Sequence, residues 1–112
     1  MIFDDGGREI ERIGSGVPGL VDATSDRCAF NNPQGLIANG RYIYVADTGN
    51  HAIRRIDTLN RDVITLAGTG TRGEVLDGFY PATEVALASV SDLELSEETL
   101  FFSNAGTISW VR

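Results

Sequence analysis

Two glycine-rich runs have the spacing of a dinucleotide-binding loop, in which backbone N–H groups at the start of a helix hold a pyrophosphate. They are Gly14-Ser15-Gly16-Val17-Pro18-Gly19 and Gly68-Thr69-Gly70-Thr71-Arg72-Gly73. A phosphate site of this kind needs a helix after its last glycine, and no helical apolar period follows either run. Because the run also recurs along the chain, we interpret both copies as links between repeated units and predict no bound cofactor.

His51 is the only histidine and Cys28 the only cysteine. One histidine cannot build a zinc site within one chain, although a symmetric oligomer could bring several copies together. Ser15, Ser103 and Ser109 have no evident base partner, so a serine nucleophile is not predicted. We therefore predict no metal ligand and no catalytic residue. We interpret His51 as a residue that closes a turn. The more specific hypothesis is that it binds a partner.

Arg54 and Arg55 are adjacent in a strand-like run, and Trp110 is the only tryptophan. Neighbouring residues of a strand point to opposite faces, unless both lie at an edge. An ion pair with Asp47 or Asp57 is one interpretation of the arginines, and recognition of an acidic partner is the other. Trp110 fits either packing between sheets or an exposed interface anchor. Together with the histidine, these three residues form the candidate partner-binding set.

The chain has 16 acidic and 9 basic residues and a formal net charge of -7. Nucleic-acid binding draws much of its affinity from phosphate neutralisation, so this balance disfavours it unless Arg54, Arg55, Arg61 and Arg72 form a basic face. No apolar run is long enough for a membrane helix, and Met1–Glu11 lacks the apolar stretch of a signal peptide. The compartment stays unassigned, although a lone cysteine is compatible with a reducing one.

Strand signals dominate and no segment has a sustained helical period, so we predict an all-β fold. Candidate strands follow one another at 35–38, 42–46, 52–57 and 62–67. Asn39-Gly40 predicts a type I′ hairpin turn between the first two strands. Asp47, Gly49 and Asn50 predict a second turn, whose short polar side chains bond to backbone N–H groups. Four short antiparallel strands of this size are typical of one blade of a β-propeller.

The pattern of this blade recurs on both sides of it. Gly14–Gly19 matches Gly68–Gly73, and Tyr44–Asp47 matches Phe101–Asn104, after which a deletion aligns Ile53 with Ile108. These matches divide the chain into the last strand of one blade at 1–13, a linker at 14–34, a complete blade at 35–67, a linker at 68–91, and the first three strands of a degenerate blade at 92–112. The chain thus contains about two blades in permuted order.

The complete repeat reads Phe30-Asn31-Asn32-Pro33-Gln34-Gly35-Leu36, then Tyr44-Val45-Ala46-Asp47-Thr48-Gly49-Asn50-His51-Ala52-Ile53-Arg54-Arg55-Ile56-Asp57, then Leu66-Ala67-Gly68-Thr69-Gly70. It resembles an NHL repeat, named for an Asn-His-Leu run that is Asn-His-Ala here. Within that family it is most similar to the group whose propeller follows a thioredoxin-like domain. The chain has no Cys-x-x-Cys, so the redox association of that group does not carry over. In the last repeat Val90 stands for the usual proline and Asn104 for the usual aspartate.

Propellers close with about 4 to 8 blades, so two blades leave sheet faces and edges open, and open edges invite pairing. The ring is completed by oligomerisation, with the N-terminal strand of one copy completing the last three strands of the next, or by a missing portion of a longer propeller. The predicted function is a protein-interaction scaffold that binds a protein or another copy and has no catalytic residues. The alternatives are a metal-dependent lyase or hydrolase with a channel site assembled from several chains, and an RNA-binding NHL propeller.

Overall fold

The fold is all-β, as the sequence predicts, in a computed structural model that describes residues 12–73, 81–84 and 86–112. The strands are β1 (Pro33–Asn39), β2 (Tyr42–Asp47), β3 (Ala52–Asp57), β4 (Val63–Ala67), β5 (Val90–Ser96), β6 (Thr99–Asn104) and β7 (Thr107–Val111), with 3-10 helices at Thr48–Asn50 and Ala82–Glu84. They form two antiparallel sheets, β1-β2-β3-β4 and β5-β6-β7. Within the described ranges, no helix has the length and apolar character needed to cross a membrane.

The first sheet, β1 to β4, keeps chain order because tight turns join its strands. Asn39 is the last residue of β1 and pairs with Tyr42, so the loop consists of Gly40 and Arg41. Of these residues only Gly40 has a positive φ, at 58°. A type I′ turn needs positive φ at both loop residues. The hairpin therefore lies where the sequence predicts it, but the expected role of Asn39 in its turn is wrong.

The second sheet, β5 to β7, begins at Val90 rather than at Asp92. It starts in the same register as the first sheet, since Pro33 pairs with Asp47 and Val90 with Asn104. β7 pairs with β6, and no strand of the described residues pairs with its other edge. Most of the strand expected at 1–13 lies outside the described residues, as do 74–80 and 85 of the second linker.

The two sheets stack face to face around one apolar cluster. Its buried members are Ala46, Ile53, Ala67, Leu87, Val90, Leu100 and Phe102. Gly35 in β1 approaches β5 so closely that a Cβ there would collide with the backbone oxygen of Ser91. A glycine is therefore required where the innermost strands of the two sheets meet.

The opposite face of the first sheet is covered by residues 12–32, called the first linker from here on. Its apolar side chains pack on a second cluster, whose buried members are Cys28, Val45, Ile56 and Val63. Backbone bonds tie the linker down, for example from Val63 N–H to the Ala23 carbonyl at 2.8 Å. The first sheet is thus covered on both faces, whereas the described residues cover the second sheet on one face only.

Candidate functional site

The guanidinium of Arg54 is the centre of a polar network inside the complete blade. Arg54 is 0% exposed. It donates to Asp47 Oδ2 at 2.8 Å and to the carbonyls of Ala29 and Val21 at 2.7 and 2.8 Å. It also donates to Asp22 Oδ1 at 2.9 Å. The ion pair with Asp47, one of the two interpretations of the sequence, is therefore present.

This network joins β2 and β3 to the first linker. Removing one partner of a buried ion pair is costly, because it leaves an uncompensated charge in a region of low dielectric. The carbonyls of Ala29 and Val21 accept from the terminal guanidinium nitrogens of Arg54, while its buried Nε has no hydrogen-bond partner among the described residues. Partner recognition by Arg54 does not fit this arrangement, since its side chain is enclosed by its own chain.

The turn between β2 and β3 binds the first linker through its polar side chains. Asp47 accepts the Asn31 N–H at 2.8 Å through Oδ1 and the Asn50 amide at 2.7 Å through Oδ2. Asn50 also donates to the Gly19 carbonyl at 2.8 Å. Gly49 donates to the Asn31 carbonyl at 2.7 Å, and a Cβ at position 49 would collide with that carbonyl. These three residues do more than shape their own turn, because they hold a segment distant in sequence.

The same turn binds the second sheet on its other side. Thr48 Oγ1 donates to the Val90 carbonyl at 2.6 Å, and His51 Nδ1 lies 2.9 Å from the Ala88 carbonyl. Because a carbonyl oxygen only accepts, Nδ1 carries the proton in this contact. His51 is half-buried and has a positive φ of 53°. The histidine therefore belongs to the turn and also links one blade to the next.

The second sheet repeats this arrangement without charge. Asn104, at the position of Asp47, is buried and accepts the Ala88 N–H at 2.8 Å. Ser109 occupies the position of Arg54, and its hydroxyl lies 3.4 Å from the Asn104 amide. An aspartate at position 104 would be buried without a counter-charge, so the replacements of Asp47 and Arg54 belong together.

The remaining strand arginine, Arg55, faces away from Arg54 and lies over an aromatic ring. Its guanidinium is 4.3 Å from the ring centroid of Tyr42, a cation–π distance. Asp57 is paired with Arg41 at 2.7 Å rather than with a strand arginine. The hydrogen bond from Arg41 lowers the pKa of Asp57 below its ordinary value.

Two of the four arginines that could form a basic face are held by contacts within the chain. Arg54 is enclosed, and Arg55 lies against Tyr42. Arg72 is exposed on the second linker, where it lines a cavity of about 520 Å³. The other residues lining this cavity are Gly73, Ala88, Asn104, Ala105, Gly106 and Thr107. Across the described ranges, no three His, Cys, Asp or Glu side chains are grouped so as to hold a metal ion.

One side of the second sheet, called the uncovered face below, is left uncovered by the described residues and carries the apolar side chains of Phe101, Ile108 and Trp110. Ile108 is 68% and Trp110 51% exposed. The rings of Phe101 and Trp110 are in tilted contact, with centroids 6.1 Å apart. Trp110 thus lies at the surface, where an interface anchor would have to be. Sequence reasoning did not predict that Phe101 and Ile108 lie beside Trp110. The signal that could have placed Ile108 is its match with Ile53 in the repeat.

Comparison with known proteins finds several that are similar to this chain in sequence. Over 102 residues the chain is 43% identical to Protein SUPPRESSOR OF QUENCHING 1, chloroplastic, of Arabidopsis thaliana, covering 87% of this chain and 10% of that protein. It is 38% identical over 87 residues to NHL repeat-containing protein 2 of Gallus gallus, covering 78% of this chain and 12% of that protein. The human protein of the same name is 38% identical over 81 residues, 72% of this chain and 11% of its own. The chain therefore spans about a tenth of the length of these relatives.

No model of a known protein family matches the chain. Among solved structures, an auxiliary nutrient binding protein from Bacteroides thetaiotaomicron superposes with a TM-score of 0.61 at 18% identity, covering 85% of this chain and 26% of that one. At this identity the superposition shows the fold alone. Together with the repeat pattern, the stacked sheets and the similarity to proteins named for the repeat, it places the residues of this chain in the NHL-repeat β-propeller family.

Proposed function

We propose that the chain is a protein-binding segment of a propeller and has no reaction of its own. The observation that carries this proposal is the exposure of Ile108 and Trp110 on the uncovered face. The polar side chains that could do chemistry are used within the chain. Asp47, Arg54 and His51 all bond to neighbouring segments of the backbone or to each other.

A protein partner fits this surface better than a nucleic acid does. Exposed tryptophan beside aliphatic side chains is typical of the centre of a protein interface, where burial of aromatic area gives most of the binding energy. The net charge of -7 opposes binding to phosphates.

Site-specific photo-crosslinking tests the proposal. A benzophenone amino acid replaces Trp110 in one variant of the chain and Leu59 in a control variant, both expressed in the organism's own cells. Leu59 is 74% exposed on the β3–β4 turn, away from the uncovered face. We expect protein adducts at position 110 that are absent at position 59. The adduct partner, once purified, should bind Trp110→Ala at least tenfold more weakly than the unaltered chain, because a buried aromatic anchor is lost.

Two outcomes would contradict this function. One is the same adduct pattern at positions 110 and 59. The other is stoichiometric zinc or calcium on the purified chain that is lost in His51→Ala, measured by elemental analysis. The second result would favour a metal-dependent enzyme assembled from several chains.

A further inference from the structure

The glycine runs of the two repeats are held by the same backbone hydrogen bond. In the first repeat the Gly19 N–H donates to the Phe30 carbonyl at 3.1 Å, and in the second the Gly73 N–H donates to the Leu87 carbonyl at 3.0 Å. Gly73 therefore has the place in the second repeat that Gly19 has in the first. The two repeats can be compared here atom by atom.

The turn that follows the second strand of each sheet differs between the repeats. Four residues, 48–51, separate β2 from β3, whereas only Ala105 and Gly106 separate β6 from β7. The second turn is two residues shorter, and it contains no amide side chain where the first has Asn50. The second repeat thus lacks one of the polar groups that hold the linker in the first.

The cavity beside this shorter turn lies where the missing amide would be. In the first repeat the Asn50 amide donates to Asp47 Oδ2 at 2.7 Å and to the Gly19 carbonyl at 2.8 Å. The residues at the positions of these two acceptors, Asn104 and Gly73, both line the cavity of about 520 Å³. The cavity therefore occupies the place that an amide side chain fills in the first repeat.

The polar groups around this cavity include both acceptors and donors. The Gly73 carbonyl is equivalent to the one that accepts the Asn50 amide, and the described residues supply no donor to it. The buried Asn104 amide donates only to Ser109 Oγ, at a long 3.4 Å. Arg72, which is exposed and also lines the cavity, forms no ion pair within the described ranges.

This combination of groups selects among the common polar ligands. A carboxylate only accepts, so it leaves the Gly73 carbonyl unpaired. An ammonium or guanidinium group only donates, and it brings a positive charge towards Arg72. A primary carboxamide donates through its NH₂ and accepts through its oxygen, so it alone of these groups pairs with both kinds of partner.

We propose that this cavity binds a primary carboxamide, such as the side chain of an asparagine or a glutamine. Its NH₂ donates to the Gly73 carbonyl, and its oxygen accepts from Asn104 and Arg72. The cavity volume lies in the range of about 300–1,000 Å³ that is typical of small-ligand sites, so there is room for more than the amide itself. The inference goes beyond the proposed function, because the site contains no residue of the uncovered face.

An NMR titration of the purified 112-residue chain tests the selectivity. The probe is N-acetyl-L-asparagine N-methylamide, and the controls are its aspartate and leucine counterparts, which have a similar size. We expect both controls to bind at least about tenfold more weakly, because they leave a polar group of the cavity unpaired. The side-chain NH₂ of Asn104 and the backbone amide of Gly106 should shift. The side-chain NH₂ of Asn50 should not, since it is already bound within the chain.

A comparison with free L-asparagine distinguishes the two sources of a carboxamide. Tighter binding of the blocked asparagine identifies the side chain of a protein as the ligand, and tighter binding of the free amino acid identifies a small molecule. An aspartate or leucine counterpart that binds as tightly as the blocked asparagine would overturn the inference, as would a titration without any shift at Asn104.

Variants of the turn and of Arg72 test the same site from the side of the protein. Insertion of Asn-His after Gly106 restores the length of the first turn and its amide. We expect this variant to lose binding of the blocked asparagine and to melt at a higher temperature than a variant with Gly-Gly inserted at the same point. Arg72→Ala should weaken binding, whereas Arg27→Ala, at another exposed arginine, should leave it unchanged.

Circular dichroism establishes that each variant is folded. Unaltered binding in a folded Asn-His variant, or equal effects of Arg72→Ala and Arg27→Ala, would contradict the placement of the ligand. The crosslinking at position 110 and this titration use different surfaces, so failure of one leaves the result of the other intact.

Discussion

The buried pair of Asp47 and Arg54 and its neutral counterpart, Asn104 with Ser109, are two solutions to one problem at the level of single residues. Each sheet needs a buried acceptor at the end of its second strand, because that side chain binds a backbone N–H of the preceding linker. A carboxylate there requires a buried cation, and an amide does not. Substitution of one member of the pair is therefore expected to lower the stability of the fold unless the other member changes too.

Arg54→Ser tests this coupling. It leaves Asp47 buried without its counter-charge, so we expect the free energy of unfolding to fall by about 3–5 kcal/mol. The double variant Asp47→Asn with Arg54→Ser, which copies the second sheet, should recover part of that loss. Guanidinium denaturation followed by circular dichroism measures both. A double variant no more stable than Arg54→Ser would refute the explanation by charge.

The ion pair between the exposed Arg41 and the buried Asp57 predicts a pH effect of defined sign. The hydrogen bond from Arg41 lowers the pKa of Asp57 below its ordinary value of 3.8. A carboxyl group with a lowered folded pKa adds stability above its ordinary pKa, and this stability is lost as pH falls through the folded pKa. In Arg41→Ala we expect the pKa of Asp57 to rise, measured by NMR titration of the carboxyl carbon. The pKa of Asp26 is the control, because the Thr24 hydroxyl lowers it and Arg41 is not among its partners.

At the scale of elements, the strands were predictable and their neighbours were not. Richness in β-branched and aromatic residues located β2 in the sequence, because this composition reports local geometry. The position of β3 followed from the turn residues before it and from Ile53 and Ile56, although Arg54 and Arg55 interrupt strict alternation. No local pattern reveals that the first linker covers β3, since Arg54 meets Asp22 only after the chain folds back. The joint replacement of Asp47 and Arg54 in the second repeat was visible in the sequence, but its meaning depends on the knowledge that the two side chains touch.

The close contact of β1 with β5 predicts a position that tolerates only glycine. Gly35→Ala pushes a methyl group into the backbone at Ser91, so we expect a loss of about 1–3 kcal/mol and a looser contact between the sheets. Gly106→Ala is the matched control, because a Cβ added at position 106 would have nothing within 4 Å. Its free energy of unfolding should change by less than about 0.5 kcal/mol. Thermal unfolding of the two variants gives the comparison. Equal melting temperatures of Gly35→Ala and Gly106→Ala would contradict the expectation that the contact of β1 with β5 tolerates only glycine at position 35.

At the scale of the whole molecule, the two sheets differ in how they are covered. The first sheet lies between the first linker and the second sheet, whereas the described residues cover only one side of the second sheet. Protection of backbone amides follows burial and pairing, so the two sheets should open at different rates.

Hydrogen–deuterium exchange measures this asymmetry. In dilute protein we expect the amides of β7 to exchange faster than those of β3, because β7 is an edge strand on the open side. Equal exchange of β3 and β7 in dilute protein would contradict the asymmetry.

The first linker also determines which stretch of the chain forms one self-contained repeat of this fold. Since residues 12–32 complete the core of the first sheet, four strands cut out alone would lose the cluster around Cys28 and Val63. The segment that carries its own covering runs from one glycine run to the next, from Gly14 to Ala67. Gene duplication and deliberate blade grafting should therefore succeed with junctions just before Gly14 and Gly68, and fail with junctions placed at the first residue of β1.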